Sequence, residues 1–211
     1  MSGLFIEYLF RDPWFFLSWS LIIIFSICVH EYAHAYAAVR RGDSTAVTHL
    51  TLNPMVQMGP LSLATLALIG FAWGAVPIRE GIFWRPRDRA WVSAVGPLSN
   101  LVLCAIFATL SAITVRVAGA GAPAVFFLSL GAQANGVLFV LNLLPAPMLD
   151  GWSVLSAWFP AMEDWRRRQG LWVSWIVLFL LFATPLSEGI WIIGRSLASR
   201  ITSTVFHLIA Y

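Results

Sequence analysis

Residues 14–39 read WFFLSWSLIIIFSICVHEYAHAYAAV, and Arg40-Arg41-Gly42 closes the run. A helix needs roughly 20 apolar residues to cross the hydrocarbon core of a bilayer, and this stretch is long enough. Inside it stands His30-Glu31-Tyr32-Ala33-His34. An ionisable side chain within a span costs about 3 kcal/mol on insertion scales, so three within little more than one helical turn are an expensive accident. The run has no small-residue cleavage site before His30, and it reads as a retained helix, not a secretory signal.

The rest of the chain agrees on the solvent. Of 211 residues, 59% are hydrophobic and 11% charged, and mean hydropathy is +0.79. A soluble domain of this length has more polar surface to build. Further apolar runs cover residues 61–76, 90–117, 122–144 and 171–183, with a short helix expected over 149–158. Pro145 and Pro147 end the fourth run and impose an extended segment. The tail, 188–210, sets Ile190, Ile193, Leu197, Ile201, Val205 and Leu208 at helical spacing. It predicts an amphipathic helix in or near the interface, or a weak sixth span. The fold class is therefore an all-α membrane protein, a multi-pass bundle of about five or six membrane segments. Residues 1–211 read as one membrane-embedded domain, with a core over 14–158 and C-terminal helices over 171–210.

Net charge is +3, and every basic residue is Arg. The arginines cluster in short loops, Arg40–Arg41, Arg79–Arg89 and Arg166–Arg168, which is the pattern of membrane orientation and not of nucleic-acid binding. If all three clusters face the cytoplasm, the N-terminus lies outside. Run 61–76 must then enter and leave on one side as a re-entrant hairpin, which Pro60, Gly70 and Gly74 permit. The alternative is that 61–76 spans fully and places Arg40 and Arg41 outside. Cys28 and Cys104 both lie in apolar runs and read as buried free thiols.

On a helix, residues four apart share a face. His30 and His34 can therefore reach one ion, and Glu31 beside them is placed as a general base. A catalytic zinc site needs a third protein ligand. Glu80, Asp88, Glu163 and Asp164 sit among arginines and read as solvated charge balance. Asp150, in NLLPAPMLDG (142–151), either caps a helix or is delivered by the proline-rich approach to the depth of the histidines.

HEYAH, Gly96-Pro97-Leu98-Ser99-Asn100 and NLLPAPMLDG, in that order, resemble the site-2 protease family of intramembrane metalloproteases. The resemblance covers about residues 14–158. It implies one Zn2+ per chain held by His30, His34 and Asp150, Glu31 as catalytic base, and Asn142 near the active site, available to the substrate backbone or the developing oxyanion. It implies peptide-bond hydrolysis within or near transmembrane segments, acting on membrane proteins whose helices are destabilised. The expected location is a bacterial inner or plasma membrane, multi-pass, with the site nearer the cytoplasm. Thr51-Leu-Asn-Pro54 and Gly74-Ala-Val-Pro77 are similar to a compact subgroup without a PDZ or nucleotide-sensing module. Related sequences often carry His and Asp where this chain has Gln57 and Gly59. Gly96, Pro97 and Asn100 read as close helix packing and a buried hydrogen bond, and His49 as a surface residue. Two rival readings are a membrane metal-ion carrier using the same His/His/Asp set and an inactive scaffold of the same fold.

Overall fold

A computed structural model describes residues 4–79, 81, 83, 85–169 and 171–209. Glu80 lies outside them, as do the side chains of Arg166 and Arg167. Among the described residues every regular element is helical: α1 (Tyr8–Arg11), α2 (Pro13–Val39), α3 (Pro54–Gln57), α4 (Gly59–Ile69), α5 (Pro86–Ala118), α6 (Pro123–Asn142), α7 (Asp150–Ser156), α8 (Pro160–Gln169), α9 (Leu171–Ala183) and α10 (Leu186–Leu208), with short 3-10 turns at Phe5–Glu7 and Ser44–His49.

The long helices start where local chemistry says they should. Pro13, Pro86 and Pro123 occupy first-turn positions of α2, α5 and α6, where a missing N–H costs nothing. Asp12 caps α2 by accepting from the Phe15 amide at 3.0 Å. Among the described residues three helices, α2, α5 and α6, are long and apolar enough to cross a membrane. A bent pair from α9 and α10, kinked by 65°, passes the same test together. The many large apolar side chains on the outer face, Leu21, Val102 and Phe179 among them, suit a lipid solvent.

Run 61–76 is not one helix. It splits into α4, with 11 residues too short to cross a bilayer, and a non-helical return over 71–79. Gly70 turns the corner at φ 76°, where its carbonyl accepts from Trp19 Nε1 at 2.9 Å. The return then travels along α2 from Trp19 to beyond its C-terminus. There the Arg79 amide donates to Asp43 Oδ2 at 2.7 Å. Nine residues covering that length must be nearly extended, at about 3.3 Å each. The odd-numbered backbone groups share one edge: Trp73 N–H donates to Ser62 Oγ (2.9 Å), Trp73 C=O accepts from it (2.6 Å), and Ala75 N–H donates to the Gln57 carbonyl (3.1 Å). By strand geometry the even-numbered groups, 72, 74 and 76, face the opposite edge.

Asp43 anchors the far end. Burial alone would raise its carboxyl, but hydrogen bonds from Thr45 and from the Arg79 amide outweigh it and hold the group below its ordinary value.

The tail is helical as expected, and its buried face overlaps the apolar spacing only in part. Ile190, Gly194 and Ala198 are buried against α5 and α6, while Ile193 is 57% exposed. Gly194 opposes Gly136 and Val137, and a Cβ at Gly194 would lie 2.6 Å from the Val137 amide nitrogen. Helices approach this closely only through small residues, so of the periodic apolar set Ile190 stays buried and Ile201 packs beside Ala198, while Ile193 and Leu208 are turned outward.

Candidate metal centre

His30 and His34 lie one turn apart on α2 and are 7% and 5% exposed. Their Nε2 atoms stand 3.0 Å apart. Asp150, the first residue of α7, reaches them with Oδ2 3.0 Å from His30 Nε2 and Oδ1 3.2 Å from His34 Nε2. Zinc bonded tetrahedrally at 2.0–2.1 Å sets its ligand atoms about 3.3 Å apart. The two histidines and the carboxylate bring their ligand atoms within 4.8 Å of one another, and this donor set fits the ion.

The protons agree. His34 Nδ1 is 2.7 Å from the Val92 carbonyl, which can only accept, so Nδ1 carries the hydrogen. That leaves the Nε2 lone pair directed at the shared centre. His30 Nδ1 is 2.6 Å from Asn100 Oδ1. Both Nε2 atoms also face the Asp150 carboxylate, so the cluster is held together by a cation or a shared proton at its centre.

Two local features deliver Asp150. Met148 sits at φ 77°, a left-handed conformation that costs a non-glycine residue about 1–3 kcal/mol and persists only where the surroundings impose it. Gly151 follows the ligand, and a Cβ there would lie 2.5 Å from the Leu144 carbonyl oxygen and closer still to that of Leu143. Only glycine lets α7 start so near the end of α6.

Two further glycines shape the site. A Cβ at Gly96 would collide with His34 Nε2 and lie 2.6 Å from His30 Nε2. A Cβ at Gly74 would fall on the Glu31 carboxylate. The backbone of α5 therefore closes one side of the centre, and the extended return passes directly over Glu31. His30, Glu31, His34 and Asp150 all line a cavity of about 740 Å³, as do Trp73 and Asn142. The Asp150 carboxylate is 20% exposed and opens into it.

This centre meets a matching set of relatives. The chain is 34% identical over 200 residues to YwhC of Bacillus subtilis, a protein named as a candidate zinc metalloprotease, covering 88% of this chain and 91% of that one. It is 36% identical over 184 residues to Rip2 of Mycolicibacterium smegmatis, likewise named, covering 78% of this chain and 66% of the relative. Rip2 of Mycobacterium tuberculosis is 31% identical over 182 residues, 80% of this chain and 67% of the relative. The chain belongs to the site-2 protease family. It matches no family model and no solved structure. Family membership makes it a metalloprotease and Zn2+ its metal, with His30, His34 and Asp150 the group able to hold it among the described residues.

Within this site-2 protease relative, Asn142 lines the cavity, with its Nδ2 donating to the Leu138 carbonyl at 3.0 Å. Gln57 is 1% exposed and ties down the loop before α3. Its Nε2 donates to the carbonyls of His49 (2.8 Å) and Thr51 (2.5 Å), and its Oε1 is 3.1 Å from His49 Nδ1. His49 is half-buried by this bond and stands outside the donor group. In the sequence Gly96 read as helix packing and Gly74 as permitting a hairpin, and neither read as facing the site. Gly96 had a usable signal, since it lies four residues before Asn100 and so shares its helix face.

Proposed function

We propose that this chain is an intramembrane zinc metalloendopeptidase that hydrolyses peptide bonds within or near transmembrane segments of other membrane proteins. The observation that carries the reading is the position of the donor triangle. It sits two thirds of the way along an apolar, span-length helix, with a carboxylate base beside it and a cavity large enough for a peptide segment.

His30, His34 and Asp150 would hold the ion, which when bound acidifies a water and polarises the scissile carbonyl. Glu31 takes a proton from the attacking water and passes it to the departing amine, so that water and peptide become a carboxylate and an amine. Asn142, after turning from the Leu138 carbonyl, donates its amide hydrogens to the developing oxyanion. A helical carbonyl is already bonded and shielded, so the substrate must unwind locally. Residues 72, 74 and 76 then offer it a strand edge along the cavity, and Gly74 lets that backbone come close to Glu31. The partners are membrane proteins with a destabilised transmembrane helix, in a lipid bilayer, and not nucleic acids.

The α4 hairpin is proposed as the re-entrant element, and α9 with α10 as the remainder of a five- to six-segment bundle. The arginine clusters favour an N-terminus outside and zinc nearer the cytoplasm, and the proposed location is a bacterial inner or plasma membrane. Cysteines introduced near Arg87 and Arg167 are expected to react only with a reagent applied from the cytoplasmic side; labelling of the two from opposite sides contradicts this orientation.

The activity itself is tested with the full chain in proteoliposomes, using a substrate whose single transmembrane helix carries a mid-span Gly-Pro pair. Cleavage stops with a zinc chelator and returns with Zn2+, and Asn142→Ala lowers kcat about 100-fold at unchanged zinc content. Absence of any chelator-sensitive product would favour the scaffold reading.

A further inference from the structure

Behind the metal centre lies a chain of amides that the reaction itself does not use. Asn100 is fully buried on α5 and Asn135 fully buried on α6. Asn135 Nδ2 is 2.9 Å from the Gly131 carbonyl oxygen and 2.9 Å from Ser26 Oγ. A carbonyl can only accept, so the Asn135 atom facing Gly131 must be the amide nitrogen. Its Oδ1 therefore faces Asn100, 3.1 Å away, and can only accept in turn. The Asn100 group turned toward it is consequently Nδ2, which leaves Asn100 Oδ1 facing His30 Nδ1 at 2.6 Å. An acceptor at that position requires the hydrogen to be on Nδ1. The His30 Nε2 lone pair is then free for the ion.

We infer that Asn100 and Asn135 are positioning residues that set the His30 tautomer, with the main-chain carbonyl of Gly131 as the fixed reference. The relay is needed because an isolated amide beside a histidine is ambiguous: rotated by 180°, Asn100 would offer N–H to Nδ1 and drive the proton onto Nε2, toward the metal. His34 needs no such device, because the Val92 carbonyl cannot invert. The two ligands on one helix are thus oriented by different means, one directly by backbone and one by backbone through two side chains. Groups that orient a metal-binding histidine through its second nitrogen typically change affinity 10–100-fold when lost.

The inference rests on the zinc reading above, and its test separates the two. Zn2+ affinity is measured by chelator competition on the full chain in detergent micelles. Asn135→Leu frees Asn100 to rotate and is expected to weaken binding 10–100-fold. Adding Asn100→Asp to Asn135→Leu should restore affinity to within a few-fold of wild type, because a carboxylate has no N–H to offer and accepts from His30 whichever way it turns. A purely packing role predicts no such rescue. Wild-type affinity in Asn135→Leu, or a double variant as weak as the single, overturns the relay. Should Asn135→Leu fail to fold, nitrogen NMR of zinc-free Asp150→Ala, which removes the carboxylate 3.0 Å from His30 Nε2, reads the tautomer directly. Neutral His30 carrying its proton on Nδ1 supports the relay, and a proton on Nε2 overturns it. If the wild type binds no zinc through His30, His34 and Asp150, it is the metalloprotease reading that fails, and the zinc-free tautomer still decides the relay.

Discussion

Glu31→Gln lowers the rate of peptide cleavage by about 1,000-fold while the protein keeps one zinc per chain. The substituted amide has nearly the same shape as the carboxylate, so the contact with the Gly74 backbone survives. Neither ligand histidine nor Asp150 bonds to Glu31 in the structure, so the donor triangle is untouched. What is lost is the ability to accept a proton from the attacking water, and general-base contributions of this kind are typically 100- to 10,000-fold. Single-turnover cleavage and zinc content by atomic absorption, measured on the same preparation, decide the matter. Parallel loss of zinc and activity would point to metal handling instead of proteolysis. Unchanged cleavage would remove Glu31 from the proton-transfer step.

Gly96→Ala is the second large effect, and local helix energetics predict the wrong sign for it. Alanine in a helix interior is favoured over glycine by about 1 kcal/mol, so α5 should be no less stable. Yet the added methyl group would take the place of the ligand atoms, colliding with His34 Nε2 and crowding His30 Nε2 at 2.6 Å. The imidazoles cannot simply step aside, because Asn100 and the Val92 carbonyl hold their far nitrogens. Forcing a methyl group into a filled space costs typically 1–3 kcal/mol, and here that cost falls on the metal site. Zinc affinity is expected to fall about 100-fold, with cleavage lost to match, while the helical circular-dichroism signal of the zinc-free protein stays at the wild-type value. Full zinc occupancy with full activity in this variant would mean that α5 does not approach the centre as the structure has it.

The two substitutions differ in how far ahead they could be seen. Glu31 announces itself beside His30 in an apolar helix, because a charge there is too costly to be incidental. Gly96 looks like any small residue of a membrane helix, and only the fold shows that its missing side chain makes room for the ligands. The same contrast holds for the acids: Asp150 stood apart because prolines lead into it, whereas its approach to His30 depends on Met148 and Gly151 accepting a tight path between α6 and α7. For residues 61–76, Pro60 and the glycines already admitted a hairpin, where hydropathy alone read a span. Hydropathy sums side chains without regard to backbone form, so a short helix with an extended return scored like a span.

The amino-acid order alone determined the solvent, the helical class and the pairing of His30 with His34, because these follow from local composition and the 3.6-residue period. Tertiary structure decided which carboxylate completes the centre, which glycines admit the ligands and the base, and which amides orient His30. Those depend on close approach between helices far apart in the chain, set by packing and buried hydrogen bonds that no local period records.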